Sequence, residues 1–323
     1  MTAKIKAKHT LIDEASIKEL LQNYKLGTIK QCQFLTSGLN DAYYIESTHH
    51  TYIFRVYRHD WRGESKILFE LDALNHLRKQ NFPLSFPISK KDGSYLCEIK
   101  APEGVRYGVL FSHADGERPI VNTDHSLLIG KTLAKMHKQT DTFTSKHKRG
   151  FTIDAAYLLE KPASFITPVI KTYFDKEIVK SFHDHVEKIK IGLEDRELEI
   201  GFCHGDFHNR NMHIKNNKLE IFDFDCCGIG YRAYDIAVSL WNMITIYNKS
   251  EKECWDKFLQ GYLTERDLHK NDMYVLPFLI TARRIWLLGT MLENDDVWGR
   301  NWINKQVLEL FILQLKTDHV TGE

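Results

Sequence analysis

The stretch Phe202 to Asp225, FCHGDFHNRNMHIKNNKLEIFDFD, decides how this chain is read. Met212 and Ile214 alternate with polar neighbours, Asn216-Asn217 has turn chemistry, and Leu219 and Ile221 alternate again. A tight hairpin is the expected result. The returning strand would carry Asp223 back towards Asp206 and Asn211, so that three oxygen-bearing side chains converge. Gly205 allows the backbone to bend sharply beside Asp206.

Two carboxylates and an amide in this arrangement suit phosphoryl transfer. That reaction develops charge on phosphate oxygens and calls for hard oxygen ligands to Mg2+, which Asn211 and Asp223 can supply. A separate carboxylate must orient an acceptor hydroxyl and take its proton, the role read for Asp206. The step from Asp206 to Asn211 also matches the Asp-to-Asn step of the protein-kinase catalytic loop, with Asp223 in the place of the D-F-G aspartate. One alternative is a metallohydrolase, in which His204, Asp206 and His208 share a transition metal. It leaves Asn211 and the FDFD strand without a task. A purely structural role is weaker still, because carboxylates buried without partners cost several kcal/mol each.

The motifs HGDFHNRN and IFDFDCCGIGYRAYDIAVSLW resemble the HGDxxxxN and IDF-type motifs of the aminoglycoside phosphotransferase and choline kinase superfamily. The resemblance implies an α+β, protein-kinase-like fold: a small N-terminal antiparallel sheet with one helix, and a larger, mainly helical C-terminal lobe. ATP would lie between the lobes, with Mg2+. It further implies that Asp206 is the catalytic base, that Asn211 and Asp223 hold the metal, and that Asp235 braces the catalytic loop. Relatives often read DFDDCG where this chain has Asp223-Phe224-Asp225-Cys226-Cys227-Gly228. With one acid fewer, Asp225 is left an accessory role at metal or acceptor, and His204 an accessory or structural one.

Composition narrows the field. A chain of 323 residues suits a two-lobed enzyme with a large core. The balance of 44 basic against 43 acidic residues argues against binding nucleic acid or a membrane surface through bulk charge. The opening MTAKIKAKHTLIDEAS lacks an apolar core, and the run Tyr274 to Ala282 is too short to span a bilayer, so a cytoplasmic protein is expected. Six cysteines without a CxxC pair signal neither zinc nor a disulfide scaffold.

The nucleotide elements are sought upstream, in residues 1–114, with 115–323 as the catalytic and substrate-binding lobe. Thr28 to Phe34 and Ala42 to Glu46 read as strands joined by a polar loop. Ser37, Gly38 and Asn40 of that loop are candidates to meet ATP phosphates, as the corresponding loop does in the resembling kinases. The strand Thr51 to Tyr57 sets Arg55 opposite Phe54 and Val56, a cation placed to clamp phosphates. Its partner is sought on the helix Ile67 to Leu77 at Glu70, with Glu64 as rival. The apolar run that ends at Ser112-His113-Ala114-Asp115-Gly116 resembles the hinge of aminoglycoside kinases. Ser112 C=O and Ala114 N–H are therefore the candidates for adenine.

Further along, Lys146 to Arg149 reads as an exposed loop and 154–197 as a helical insertion. Tyr274 to Leu292 reads as a buried helix kinked at Pro277, with Trp286, Trp298 and Trp302 in the core. Arg283 and Arg284 are expected in a surface ion pair, with an anionic part of the substrate as the other possibility. Within the superfamily the chain looks closest to the homoserine kinase-like and stress-response kinase branches. The expected acceptor is thus a small amino alcohol or hydroxy amino acid, with a protein Ser/Thr as alternative. A polycationic aminoglycoside fits less well, because the C-terminal helices are mixed in charge. A nucleotide-binding pseudokinase would not need the intact set of Asp206, Asn211 and Asp223.

Overall fold

A computed structural model describes residues 5–120, 122–246 and 251–317. The chain divides into two compact units, Met1–Asp115 with Ser145–Lys148, and Gly116–Thr144 with Arg149–Glu323.

The first unit opens with α1 (Glu14–Leu21), whose first N–H groups are met by the Asp13 carboxylate at 2.9 Å. An antiparallel sheet follows, formed by β1 (Ile29–Ser37), β2 (Asn40–Ser47), β3 (Thr51–Tyr57), β4 (Cys97–Ala101) and β5 (Gly104–Ser112) in the order β1-β2-β3-β5-β4. Period-2 alternation in β2 and β3 buries Tyr43, Ile45, Phe54 and Val56 together with Ile17 and Leu21 of α1. The helix α2 (Glu64–Lys79) buries Ile67, Leu71 and Leu74 on one stripe.

The polar loop expected between the first two strands is mostly ladder. A register shift between Phe34 and Thr36 absorbs one residue, so pairing continues to Ser37↔Asp41 and only Gly38 and Leu39 turn the chain. Asp41 is held there by Arg106, whose Nη2 lies 2.7 Å from Oδ2 with both side chains fully buried. Arg106 also donates to the carbonyls of Tyr57 and Thr10, which ties the segment before α1 onto the sheet.

The second unit runs α3 (Thr123–Gln139), β6 (Thr152–Ile153), one π-helical turn (Ala156–Glu160), α4 (Lys161–Tyr173), α5 (Lys176–Glu194) and β7 (Ile200–Cys203). It continues with the hairpin β8 (Met212–Lys215) and β9 (Lys218–Ile221), then β10 (Gly228–Tyr231), α6 (Arg232–Ile246), α7 (Glu251–Leu263), α8 (Lys270–Tyr274) and α9 (Leu276–Glu293). Two short helices close it, α10 (Asp295–Trp298) and α11 (Lys305–Thr317). β6, β10 and β7 form a three-stranded sheet. α9 packs against α4 and α6, and α3 against α7. Gly130 and Gly261 make the α3–α7 approach possible: a Cβ at either would lie 2.0 Å from a backbone carbonyl oxygen of the facing helix.

Several expectations are corrected here. Pro277 occupies the first turn of α9, where its missing N–H costs nothing, so it starts the helix rather than kinking it. Arg149 is buried, with its guanidinium on the Asp225 carbonyl and over the Phe151 ring, and is not part of an exposed loop. Trp298 is 38% exposed, outside the core that holds Trp286. Arg283 is buried, so it makes no surface ion pair. Among the described residues no helix is long and apolar enough to cross a membrane.

Candidate active site

The β8–β9 hairpin turns through Asn216 and Asn217, both at positive φ (51° and 56°), the conformation of a type I′ turn. Beyond the paired strands the Phe222 N–H still bonds the Asn211 carbonyl at 3.0 Å. Asp223 therefore follows directly on the residue facing Asn211. Its own backbone is left-handed (φ 64°, ψ 58°) and turns the chain into the 3₁₀ turn Phe224–Cys226. Gly205 has φ +79°, and a Cβ there would meet the Cys226 carbonyl oxygen at 2.2 Å, so the HGD loop and the DFD turn approach as only glycine permits.

Asp206 is the centre of a dense network. The Asn211 amide donates to the Asp206 carbonyl and to Oδ2, each at 2.9 Å. Arg283 Nη2 lies 2.5 Å from Oδ1, and His208 Nε2 3.3 Å from Oδ2. Burial, the largest influence, works against the charged carboxylate, but the Arg283 cation and then His208 outweigh it. The carboxyl group is held far below its ordinary range while its side chain stays 20% exposed.

Behind this loop stands Asp235 of α6, fully buried. It accepts the His204 N–H at 2.7 Å on Oδ2 and the Gly205 N–H at 2.8 Å on Oδ1. His137 of α3 adds Nε2 at 3.2 Å, and its Nδ1 meets the Tyr262 hydroxyl of α7 at 2.9 Å. Burial pushes the His137 imidazole below its usual pKa, so it is neutral, donating to Asp235 and accepting from Tyr262. The same holds for His204. Its Nε2–H donates to the Phe222 carbonyl at 3.1 Å and Nδ1 accepts the Asp206 N–H at 3.2 Å. His204 has no nitrogen left for a metal, and among the described residues no three His, Cys, Asp or Glu side chains are placed to share one. The arrangement leaves the metallohydrolase alternative without its first ligand.

An oxygen-donor site for a divalent cation fits the same loop. The Asn211 nitrogen must face Asp206, because only the NH2 can donate to a carboxylate, and the amide oxygen remains available as a hard donor beside the Asp223 turn. Asp225 is buried, with its backbone carbonyl on Arg149.

Within the N-terminal unit, Arg55 and Glu70 meet at 2.8 Å, and the Tyr57 hydroxyl donates to the other Glu70 oxygen at 3.0 Å. Glu64 is exposed at the start of α2, so Glu70 is the partner. The Arg55 guanidinium also lies 4.8 Å from the centre of the Phe111 ring. Of the hairpin candidates, Gly38 has open space where a Cβ would be, while the Ser37 hydroxyl is turned to Asp41 at 2.7 Å. Asn40 starts β2. Ser112 ends β5, its carbonyl accepting the Ser85 hydroxyl at 2.5 Å, and Ala114 follows it, buried.

Arg283, His137 and Tyr262 complete the network without any local motif to mark them: His137 lies 98 residues from Asp235, and Arg283 lies 77 from Asp206. The doublet of arginines inside an apolar helix was the one signal available.

A five-stranded antiparallel sheet with a buried Arg–Glu pair, and a helical unit with a braced HGD loop followed by a DFD turn, define a protein-kinase-like phosphotransferase. The chain belongs to the phosphotransferase enzyme family, whose family model matches residues 31–273. An uncharacterized protein of Synechocystis is 34% identical, over 86% of this chain and 77% of its own length. A homoserine kinase of Allorhizobium ampelinum is 24% identical, over 89% of this chain and 88% of its own. Among solved structures, amicoumacin kinase hAmiN in complex with AMP-PNP, Ca2+ and Ami shares the fold, with a TM-score of 0.78 at 19% identity. That match covers 95% of this chain and 93% of the kinase.

Proposed function

We propose that the protein transfers the γ-phosphoryl group of ATP to a hydroxyl of a small amino alcohol or hydroxy amino acid. The observation that carries this reading is the Asp206 carboxylate, fixed by Asn211 and Arg283 and mounted on a loop whose two N–H groups are held by Asp235. The homoserine kinase of Allorhizobium ampelinum supports the acceptor class. Six free cysteines accord with a cytoplasmic protein.

In this reading Asp206 lines up the acceptor hydroxyl and accepts its proton. The acceptor oxygen forms its bond to the γ-phosphorus as the bond to the β–γ bridging oxygen breaks, and ADP leaves with that electron pair. Asn211 and Asp223 would hold Mg2+, which when bound would neutralise charge on the phosphates. Arg55, oriented by Glu70, offers its planar donors to the phosphates, and Gly38 lets the backbone come close to them. Ser112 and Ala114 give backbone atoms to adenine. His204 acts as a spacer under the loop, and Asp225 supports the metal turn.

The test is ADP release from Mg-ATP over a panel of small hydroxyl compounds and a casein-type protein, beside Asp206→Ala. Release that depends on one small acceptor class and disappears in the variant is the expected result. Phosphate found only in casein would move the reading to a protein kinase. ATP binding with no transfer above the variant's background to any acceptor would favour a regulatory nucleotide binder.

A further inference from the structure

Arg283 lies 2% exposed on α9, with its guanidinium 5.0 Å from the centre of the Trp241 ring and 4.9 Å from that of Trp286. Only Nη2 reaches Asp206. Nε and Nη1 are buried without a well-aligned hydrogen-bond partner within the described residues, and the same is true of the Trp241 indole N–H and of the Tyr234 hydroxyl that lies beside the guanidinium. A buried donor left unmade costs about 1–3 kcal/mol, and more when it belongs to a charged group. Here three unused donors, two of them cationic, stand beside a carboxylate that is still 20% exposed. The Tyr234 hydroxyl can turn its oxygen to one of these donors; every other unused atom in the set donates and none accepts. Such a set is complementary to an anion.

Tyr157 and Phe151, stacked at 4.5 Å, extend the aromatic wall past Trp286, so the surroundings are apolar and strengthen any ion pair formed there. A guanidinium presents its donors in a planar fork that suits a carboxylate. Because Nη2 already marks where Asp206 would hold the acceptor hydroxyl, a carboxylate on the remaining N–H groups lies only a short carbon chain from that hydroxyl.

Resting on the kinase reading above, we propose that Arg283 is the receptor for a carboxylate on the acceptor, so that the acceptor is a short hydroxy acid rather than a neutral or purely cationic alcohol. Arg283 thereby couples recognition to reactivity. The same guanidinium then fixes the acceptor at one end and the Asp206 carboxylate at the other, so recognition sets the position of the hydroxyl.

The experiment compares matched acceptors that differ only in the carboxylate: homoserine against aminopropanol, serine against ethanolamine. ADP release from Mg-ATP is measured with the full chain, with Arg283→Gln and with Arg283→Lys. The expected result is a kcat/KM at least about 100-fold higher for the carboxylate-bearing member of the better pair. That ratio should fall towards one in Arg283→Gln and to an intermediate value in Arg283→Lys, while KM for Mg-ATP stays put. Thermal melting and calorimetric ATP binding establish that each variant is folded. Equal or better use of the amino alcohols overturns the inference and leaves the kinase reading standing. So does a ratio unchanged in Arg283→Gln. Turnover of none of these compounds also overturns it, and calorimetric Mg-ATP binding to the parent chain then decides whether the kinase reading falls too.

Discussion

The carboxylate of Asp235 takes the backbone N–H of His204 on one oxygen at 2.7 Å, while its other oxygen takes the next N–H along the chain. One side chain thus sets the orientation of two successive peptides, and Asp206 begins at the third. An acidic group aimed at backbone donors is a stronger brace than a neutral one, because hydrogen bonds to a charged acceptor are worth roughly twice as much. Asp235→Asn replaces one acceptor oxygen by an NH2 that faces an N–H. The expected outcome is a loss of kcat on the order of 100-fold with ATP affinity unchanged, since misplacing a reacting group by about 1 Å has that effect. Steady-state kinetics with calorimetric ATP binding checks it, and an unchanged kcat would remove Asp235 from its role.

Asp206 is held ionised by Arg283 and by its hydrogen bonds to Asn211. Asp206→Asn keeps the shape and removes the proton acceptor. Transfer should fall by about 100- to 10,000-fold, the range for loss of a general base, with Mg-ATP affinity within about twofold of the parent. A parallel loss of nucleotide affinity would place Asp206 in nucleotide binding instead.

The local pattern carried far into this result, and it stopped where partners are remote. The hairpin was legible because alternation and Asn-Asn turn chemistry are local, and Arg55 with Glu70 because a strand and a helix each display one face. The length of β1 and β2 was not legible. Polar residues such as Thr36 and Asn40 read as loop, yet they stay in the ladder because a bulge takes up the odd residue and Arg106 anchors Asp41 from 65 residues away. Pro277 looked like a kink for want of knowing where α9 begins. Arg283 looked like a surface charge because nothing local announces a carboxylate 77 residues earlier.

Arg55 and Glu70 separate stability from nucleotide binding. Glu70 is completely buried and meets Arg55 on one oxygen and the Tyr57 hydroxyl on the other. Removing the cation leaves the buried Glu70 carboxylate with fewer partners, which destabilises the fold. Arg55→Ala is therefore expected to lower the melting temperature and to raise KM for ATP at least about tenfold, with KM for the acceptor little changed. Arg55→Lys should recover most of the stability but less of the ATP affinity, because an ammonium lacks the planar fork. Equal ATP affinity in parent and Arg55→Ala would mean that the pair is structural only.

His137 and His204 give the protein an acid limb. Burial lowers the pKa of both below the ordinary 6.5, and each must stay neutral to keep its two hydrogen bonds. The unfolded chain therefore binds protons at a pH where the folded one does not. Stability is complete above about pH 6.5 and is lost as pH falls below it, each histidine contributing up to about 1.4 kcal/mol per pH unit until its folded pKa is reached. Asp206 acts in the same direction only at lower pH, below its ordinary carboxylate value of 3.8, because its folded pKa is depressed. The thermal midpoint, followed from pH 7.5 to 5.0 at constant ionic strength, should thus fall steadily. His137→Gln can keep a donor towards Asp235 and an acceptor towards Tyr262 but does not titrate, so its midpoint should start lower and fall about half as steeply. A parent midpoint that is flat over this range would contradict the assignment of both imidazoles as neutral supports of the Asp235 network.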